Sequence, residues 1–526
     1  MSPIIGAVIV LSIAAYLIRR RHRKGLPPSP PGFPLLGNLR QLREGALHLI
    51  LSGWSRTYGD FFSYHAGTQP VFVVSSAHAF DELFNKKGAL YNSRPQTSKQ
   101  TRRVTGDSRG VALPYGEPWK DRRRVLQSLL SGQNTKMFQP YQDYESKIVL
   151  VNLLNQPETF FKEAARYASS VNFSMLLGAR FENSDSFVPT RIREEMILFW
   201  QHISPGVWVT DWFSFLDYLP PALAPWRKRA DWMHRRWVSF WSLFFDRMNE
   251  RHKKGIAQDC FMARFLDDPD VGRWSHMDSV GIVAEILSAG SETTIASVQW
   301  FFRAAIYFPD AAKRAQQEID AVVGPDRLPE WQDRPNLPYV EALIQELHRW
   351  ASVSPLAVPH ATTEADVYRG YRVPKGATVM ANTYAVHHDP NSYQEPHRFL
   401  PERFLRDGHP FRAKEMASLS NHFAFGVGRR ACPGQQVANA SLYIVLSRIL
   451  WGFDISAAST GPPRLETVPS PLVVALAPFE CSVTPRSEKV RQFIRKQSEG
   501  LTPPPELESA SVYGQLVAEW DESHRR

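Results

Sequence analysis

Apolar residues recur at helical spacing in three long stretches of this chain. Residues 279–308 form the longest, closed by Pro309, and residues 339–350 and 435–450 form two more. Short β-branched and aromatic runs predict strands instead. Val71 to Ser75 is one, with a helix expected after it over 79–84, and Tyr371-Arg372-Val373 and Thr378-Val379-Met380 are two others. Pro374-Lys375-Gly376 separates the last two and predicts a hairpin. Residues 93–110, rich in Arg, Gly and Ser, predict a loop. No internal repeat breaks the chain into similar units.

The two ends read differently from the body. Ser2 to Ile18 is almost wholly apolar and carries no charge, at the short end of what crosses a bilayer. The cations Arg19, Arg20, Arg21, Arg23 and Lys24 follow the run, whereas a cleaved leader would want them before it. The expectation is a membrane anchor helix over 1–18, with the rest of the chain on the cytosolic side. Residues 19–37 then form a basic and proline-rich hinge, stiff and extended from Leu26 to Pro34. At the other end, residues 487–526 form a polar tail with no packed-core pattern and no function legible in it. Between them, residues 38–486 make one large body.

Composition changes this picture little. The net charge is +10 over 526 residues, but half of it is the run after the apolar segment. Nucleic-acid binding does not follow, although a basic surface suits an acidic partner or an anionic membrane. Three cysteines argue against a disulfide framework and fit a reducing compartment. Seven of the fifteen tryptophans lie between Trp200 and Trp241, broken by Leu219-Pro220-Pro221 and beside Arg227, Lys228 and Arg229. That mixture fits a membrane-facing aromatic loop or ordinary core packing.

The candidate chemistry centres on Cys432. It stands near the end of the run Phe425-Gly-Val-Gly-Arg-Arg-Ala-Cys-Pro-Gly434, where glycines permit turns and Pro433 fixes the backbone after the sulfur. Arg429 and Arg430 are placed to lower the thiol pKa or to meet an anion. A single thiolate in a rigid loop suits one axial bond to heme iron better than a zinc cage. Cys260 and Cys481 read as small buried hydrophobes.

Phe425, Gly428, Arg430, Cys432 and Gly434 stand at the spacing of the heme-binding signature of the cytochrome P-450 (heme-thiolate monooxygenase) family, which the chain resembles over residues 27–486. Other motifs follow in the family's order. Ala289-Gly290-Ser291-Glu292-Thr293-Thr294 resembles the oxygen-activating motif, with Glu292 where Asp is frequent. Glu346-Leu347-His348-Arg349 and Pro401-Glu402-Arg403-Phe404 resemble its Glu-x-x-Arg and third member. Trp119-x-x-x-Arg123, both on one helix face, resembles the pair that reaches a heme propionate. His360 matches a further propionate position.

The resemblance implies a mainly α fold with small β-sheets enclosing one heme b, with Cys432 as the axial iron ligand. It implies that Arg430, Trp119, Arg123 and His360 hold the propionates. Thr293 would hydrogen-bond oxygen at the iron, after bonding back to the Ala289 carbonyl and bending its helix, and Glu292 would supply protons. Glu346, Arg349 and Arg403 would form a buried structural network. The expected reaction inserts one atom of O2 into a lipophilic small molecule. No dinucleotide fingerprint is present, so electrons are expected from a separate NADPH-dependent flavin reductase. The oxygen-activating motif and Pro359-His360-Ala361-Thr362-Thr363 look most like fungal biosynthetic members, which implies the endoplasmic reticulum membrane. A heme-thiolate isomerase or dehydratase, a non-catalytic heme or steroid carrier, and a sterol demethylase are the rival readings.

Overall fold

The computed structural model describes residues 25–524 apart from 34–35, 97–98, 184, 205, 407–408, 411–421, 459–460, 469–472 and 505–506. The expected anchor over 1–18 and the basic run after it lie outside the described residues. Among the described residues, no helix is long and apolar enough to cross a membrane.

The architecture is mainly helical with small sheets. In chain order it begins with α1 (Leu47–Tyr58), β1 (Phe61–Ala66), β2 (Gln69–Val74) and α2 (Glu117–Leu130). Then come α3 (Gln139–Asn155), α4 (Phe160–Leu177), β3 (Ala179–Arg180), α5 (Phe187–Ile203), α6 (Pro225–Lys253) and α7 (His276–Tyr307). After α8 (Pro338–Ala351) lie the short strands β4 (His360–Ala361), β5 (Asp366–Tyr368), β6 (Tyr371–Val373) and β7 (Thr378–Ala381). The chain ends with α9 (Gln435–Gly452), β8 (Phe453–Ala457), β9 (Cys481–Pro485), α10 (Glu488–Glu499), β10 (Glu508–Ser509) and α11 (Gly514–His524).

α7 is the axis of the helical layer. Ser275 caps it by accepting from Asp278 N–H, and Asp278 returns the bond to Ser275 N–H. Pro309 follows its end. Most of its residues are buried, against α4, α6, α8 and α9. The expected helices over 279–308, 339–350 and 435–450 are thus α7, α8 and α9. The Pro-rich hinge lies along β1, where Ser63 N–H donates to Pro28 O at 2.8 Å and the Ser63 hydroxyl to Pro27 O at 3.2 Å.

Three expectations need correction. Tyr371–Val373 and Thr378–Ala381 are strands, but they do not pair with each other. β6 pairs with β5, while β7 runs parallel to β2 and antiparallel to β4, giving a sheet ordered β1-β2-β7-β4. Residues 93–110 are not all loop: Lys99–Thr105 is a helix that buries Gln100, Val104 and Thr105.

The polar tail is folded onto the body. Val490 and Ile494 of α10 and Tyr513, Val517 and Trp520 near the C-terminus join the main apolar core. β10 pairs in parallel with β3, Trp520 packs edge-on against Phe240 of α6, and Arg191 of α5 meets Asp521 at 2.5 Å. A few apolar side chains at the right spacing suffice once a groove exists to receive them.

Candidate active site

The loop that carries Cys432 is shaped by two left-handed glycines. Gly426 and Gly428 have φ of +76° and +63°, and a Cβ on Gly428 would stand 2.2 Å from Phe84 O. Only glycine lets this turn lie on the Phe84 backbone. Cys432 N–H then donates to Phe425 O at 2.7 Å, closing the loop, and the Phe425 ring packs edge-on on His348. Gly434 differs from the expectation for it. Its φ is −89°, and its role is contact, since a Cβ there would lie 3.9 Å from the Cys432 sulfur.

The Cys432 side chain is accessible, yet it is ringed by enough protein that desolvation pushes the thiol pKa up. The Gly434 N–H and the Arg123 guanidinium oppose the rise. Arg429, expected beside the sulfur, instead turns outward and donates to the Tyr115 hydroxyl at 3.2 Å.

Arg430 lies over the Trp119 ring, 4.1 Å from its centroid. Its guanidinium donates to Asn92 O at 2.7 Å and Leu113 O at 2.9 Å. Burial and the nearby Arg123 push its pKa down to about 9. Arg94 is buried beside it, donating to Val111 O at 2.9 Å and to Val358 O and Pro359 O at 2.7 and 2.9 Å. Burial, and then the Arg430 charge, hold Arg94 far below the usual arginine range. On α2, one turn past Trp119, Arg123 has a buried Nε with no hydrogen-bond partner. His360 donates Nδ1–H to Tyr91 O at 2.7 Å and is held neutral by burial and by the fields of Arg94 and Arg430.

Three guanidiniums and a histidine therefore converge, and the carboxylate whose field reaches them is Glu285 of α7. Burial pushes the Glu285 carboxyl up, against Arg109 and the N–H groups of Gly110 and Val111. Buried cations in excess call for an anion. The two carboxylates of a porphyrin supply that charge, and its iron suits the accessible sulfur, so these residues fit a heme.

α7 carries the second group of candidate residues. Within an otherwise buried helix, Ala289 is exposed and Gly290, Glu292, Thr293 and Thr294 are half-buried. The Thr293 hydroxyl donates to Ala289 O at 2.7 Å, as expected from the sequence. Gly290 is required by a neighbour, because a Cβ would stand 2.7 Å from the Asn172 amide. That amide donates to Ile286 O, Leu287 O and the Ser291 hydroxyl at 2.9–3.1 Å, holding the turn from the side. Glu292 accepts from the Trp200 indole at 2.9 Å, and burial pushes its pKa up against that bond and the Arg109 charge. Val474 N–H donates to Val353 O at 2.8 Å.

Beneath the loop, Glu346 and Arg349 are fully buried and paired through two bonds of 2.7 Å. Glu346 also accepts from Leu400 N–H at 2.8 Å and from Arg403 at 3.3 Å. Arg349 reaches on to the carbonyls of His387 and Pro396, both at 2.8 Å. The structure brings the three residues together as a network that ties α8 to residues 387–403.

Sequence reasoning missed Arg94, Arg109, Asn172, Trp200 and Glu285. For Glu285 a signal existed: it lies seven residues, or two helical turns, before Glu292 on the same face.

Similarity to known proteins agrees with this geometry. The cytochrome P450 family model matches residues 27–482. Cytochrome P450 monooxygenase polD of Polytolypa hystricis is 36% identical over 499 residues, covering 93% of this chain and 95% of that protein. Cytochrome P450 monooxygenase fogE of Aspergillus ruber is 35% identical over 477 residues, covering 88% and 87%. Cytochrome P450 monooxygenase 69 of Postia placenta is 34% identical over 534 residues, covering 93% and 94%. With a match of this length and a site built for a heme, the chain belongs to the cytochrome P450 family, oxidoreductases that use heme iron and O2 for monooxygenation.

Proposed function

We propose that the Cys432 thiolate is the axial ligand of a heme b and that the chain hydroxylates or epoxidises a lipophilic small molecule in fungal secondary metabolism. The observation that carries this reading is the excess of buried cations beside an accessible thiol. Arg430, seated on Trp119, and Arg123, with its partnerless Nε, bind the two propionates. His360 has committed Nδ1–H to Tyr91 O, so it meets a propionate only by taking a proton on Nε2. A bound anion would raise its depressed pKa and favour that proton.

Held by Cys432, a heme would supply the redox chemistry that lets one atom of dioxygen enter the substrate. The chain supplies the protons and the fit. Glu292, whose carboxyl pKa burial pushes up, is the proton store, and the neighbouring Thr293 hydroxyl relays from it. Gly290 and Asn172 keep the helix turn open enough for that hydroxyl to serve both sides.

A single-pass anchor over 1–18 places the body on the cytosolic face of the endoplasmic reticulum. Phe215, Tyr218 and Leu223 between α5 and α6, and Trp232 on α6, are exposed, an apolar surface that suits contact with lipid and entry of substrate from it. Electrons come from an NADPH-dependent flavin reductase docking near the exposed Lys120, Arg124 and Arg429.

The test is the carbon-monoxide difference spectrum of the reduced, heme-loaded chain. The thiolate-type Soret band is expected in the native chain and absent from Cys432→Ala; its persistence in the variant removes the assignment. Product-linked NADPH consumption with reductase separates a monooxygenase from a carrier or isomerase.

A further inference from the structure

Arg109 is 3% exposed, and the fields of Glu285 and Glu292 reach it without a hydrogen bond to either carboxylate. Its Nη2 donates to the Ser288 hydroxyl at 2.6 Å, while its Nε has no partner. The guanidinium stacks over the rings of Phe199 and Trp200, 4.9 and 5.6 Å from their centroids. Trp200 in turn donates its indole N–H to Glu292 Oε1. One cation thus braces the indole of α5 that holds the acid of α7, and its own field reaches that acid. Isolated buried guanidiniums are costly, and packing alone would be served better by an apolar side chain.

We propose that Arg109 and Trp200 are positioning residues that clasp Glu292, keeping its carboxylate aimed and limiting its proton affinity so that protons reach dioxygen in step with electrons. This deepens the monooxygenase reading and rests on it. The balanced reaction is RH + O2 + NADPH + H+ → ROH + H2O + NADP+, with hydride from the nicotinamide entering through the flavin reductase. When proton delivery falls out of step, the same equivalents are lost as O2 + NADPH + H+ → H2O2 + NADP+. The charged groups around Glu292 are few. Arg109 comes from the segment before α2, and Glu285 lies two turns earlier on α7, bonded to Val111 N–H at 2.9 Å and facing Arg109. From α5 the contact is the neutral indole.

The experiment uses the full heme-loaded chain. Infrared difference spectra across pH follow the carbonyl-stretch band of the Glu292 carboxyl, identified by its loss in Glu292→Gln. Trp200→Phe keeps the ring under Arg109 and deletes the N–H. Arg109→Gln deletes the cation, and Arg109→Lys returns it. Both losses are expected to raise the Glu292 midpoint by about one pH unit or more, the roughly tenfold change a charge-assisted hydrogen bond supplies. Arg109→Lys should recover most of the shift. With reductase, NADPH and no added substrate, the share of NADPH recovered as peroxide should rise about twofold or more in the first two variants, within the range over which a positioned acid alters a rate. A merely structural role would lower stability and leave the carboxyl midpoint in place. An unmoved midpoint in both variants, or a moved midpoint with an unchanged peroxide share, overturns the proposal. The carboxyl titration stays readable if the thiolate band is absent, so failure of the clasp and failure at Cys432 are told apart.

Discussion

Removing the Glu346 carboxylate tests how the heme loop is supported. Glu346→Ala strips four hydrogen bonds at once: two from Arg349, one from Arg403 and one from Leu400 N–H. Arg349, fully buried, keeps its carbonyl partners at His387 and Pro396 but loses its counter-charge. Breaking a buried pair from one side costs about 3–5 kcal/mol, and the stranded Leu400 N–H adds about 1–3 kcal/mol. Replacing both partners costs less than breaking one, because no uncompensated charge remains. Glu346→Met/Arg349→Met should therefore be more stable than Glu346→Ala, though below native, since the carbonyls lose their donor. The assay is urea unfolding followed by tryptophan fluorescence on the heme-loaded chain, read as the midpoint at constant slope. A loss under about 1 kcal/mol for Glu346→Ala, the scale of an exposed pair, would refute the reasoning. A double variant worse than the single one would refute it equally.

Four more outcomes are expected. Gly428→Ala must push the loop off Phe84 O and adopt a strained φ, so heme retention on dialysis should fall sharply while far-ultraviolet circular dichroism stays native. Gly290→Ala gains helix propensity of about 1 kcal/mol but overpacks the Asn172 amide, at about 1–3 kcal/mol. A lower melting temperature is expected, and a higher one would show that Asn172 yields freely. His348 and His388 are buried with pKa pushed down to about 4 and about 3, chiefly by desolvation. Their folded pKa values lie below the unfolded value near 6.5, so stability is complete above about pH 6.5 and falls by about 1.4 kcal/mol per pH unit per histidine below it. Urea midpoints in His348→Gln should show a shallower acid slope between pH 6 and 4.5, tested against about that difference. Truncation after Arg486 deletes Val490, Ile494, Tyr513, Val517 and Trp520 and uncovers the core surface that they cover, Phe173, Phe240 and Phe244 included, side chains each worth about 1.5–3 kcal/mol when buried. The shortened chain should be found in aggregates on gel filtration, and a monodisperse product would contradict the packing described.

The long helices were legible because their periodicity is dictated by burial along one element. The expected span 279–308 and the observed His276–Tyr307 differ by three residues at one end and one at the other. The strand partners were not legible, because β7 finds β2 across most of the chain and local turn residues say nothing of that choice. Lys99–Thr105 escaped notice because its helix is polar in composition and is held by Val104 reaching the core. At the site, loop glycines, Thr293 and the Glu346–Arg349 pair announced themselves by spacing. Arg94, Arg109 and Glu285 did not: a lone charge in sequence looks like surface until packing surrounds it.

The closure of β3 by β10 sets an order of events during synthesis. Ala179 and Arg180 leave the ribosome long before Glu508 and Ser509 exist, and at about 5–20 residues per second the wait is roughly 15–65 seconds. Through that interval an open strand edge and the seat of Trp520 stand bare. Pairing of that bare edge with another chain before the tail arrives is therefore the misfolding route that this topology opens.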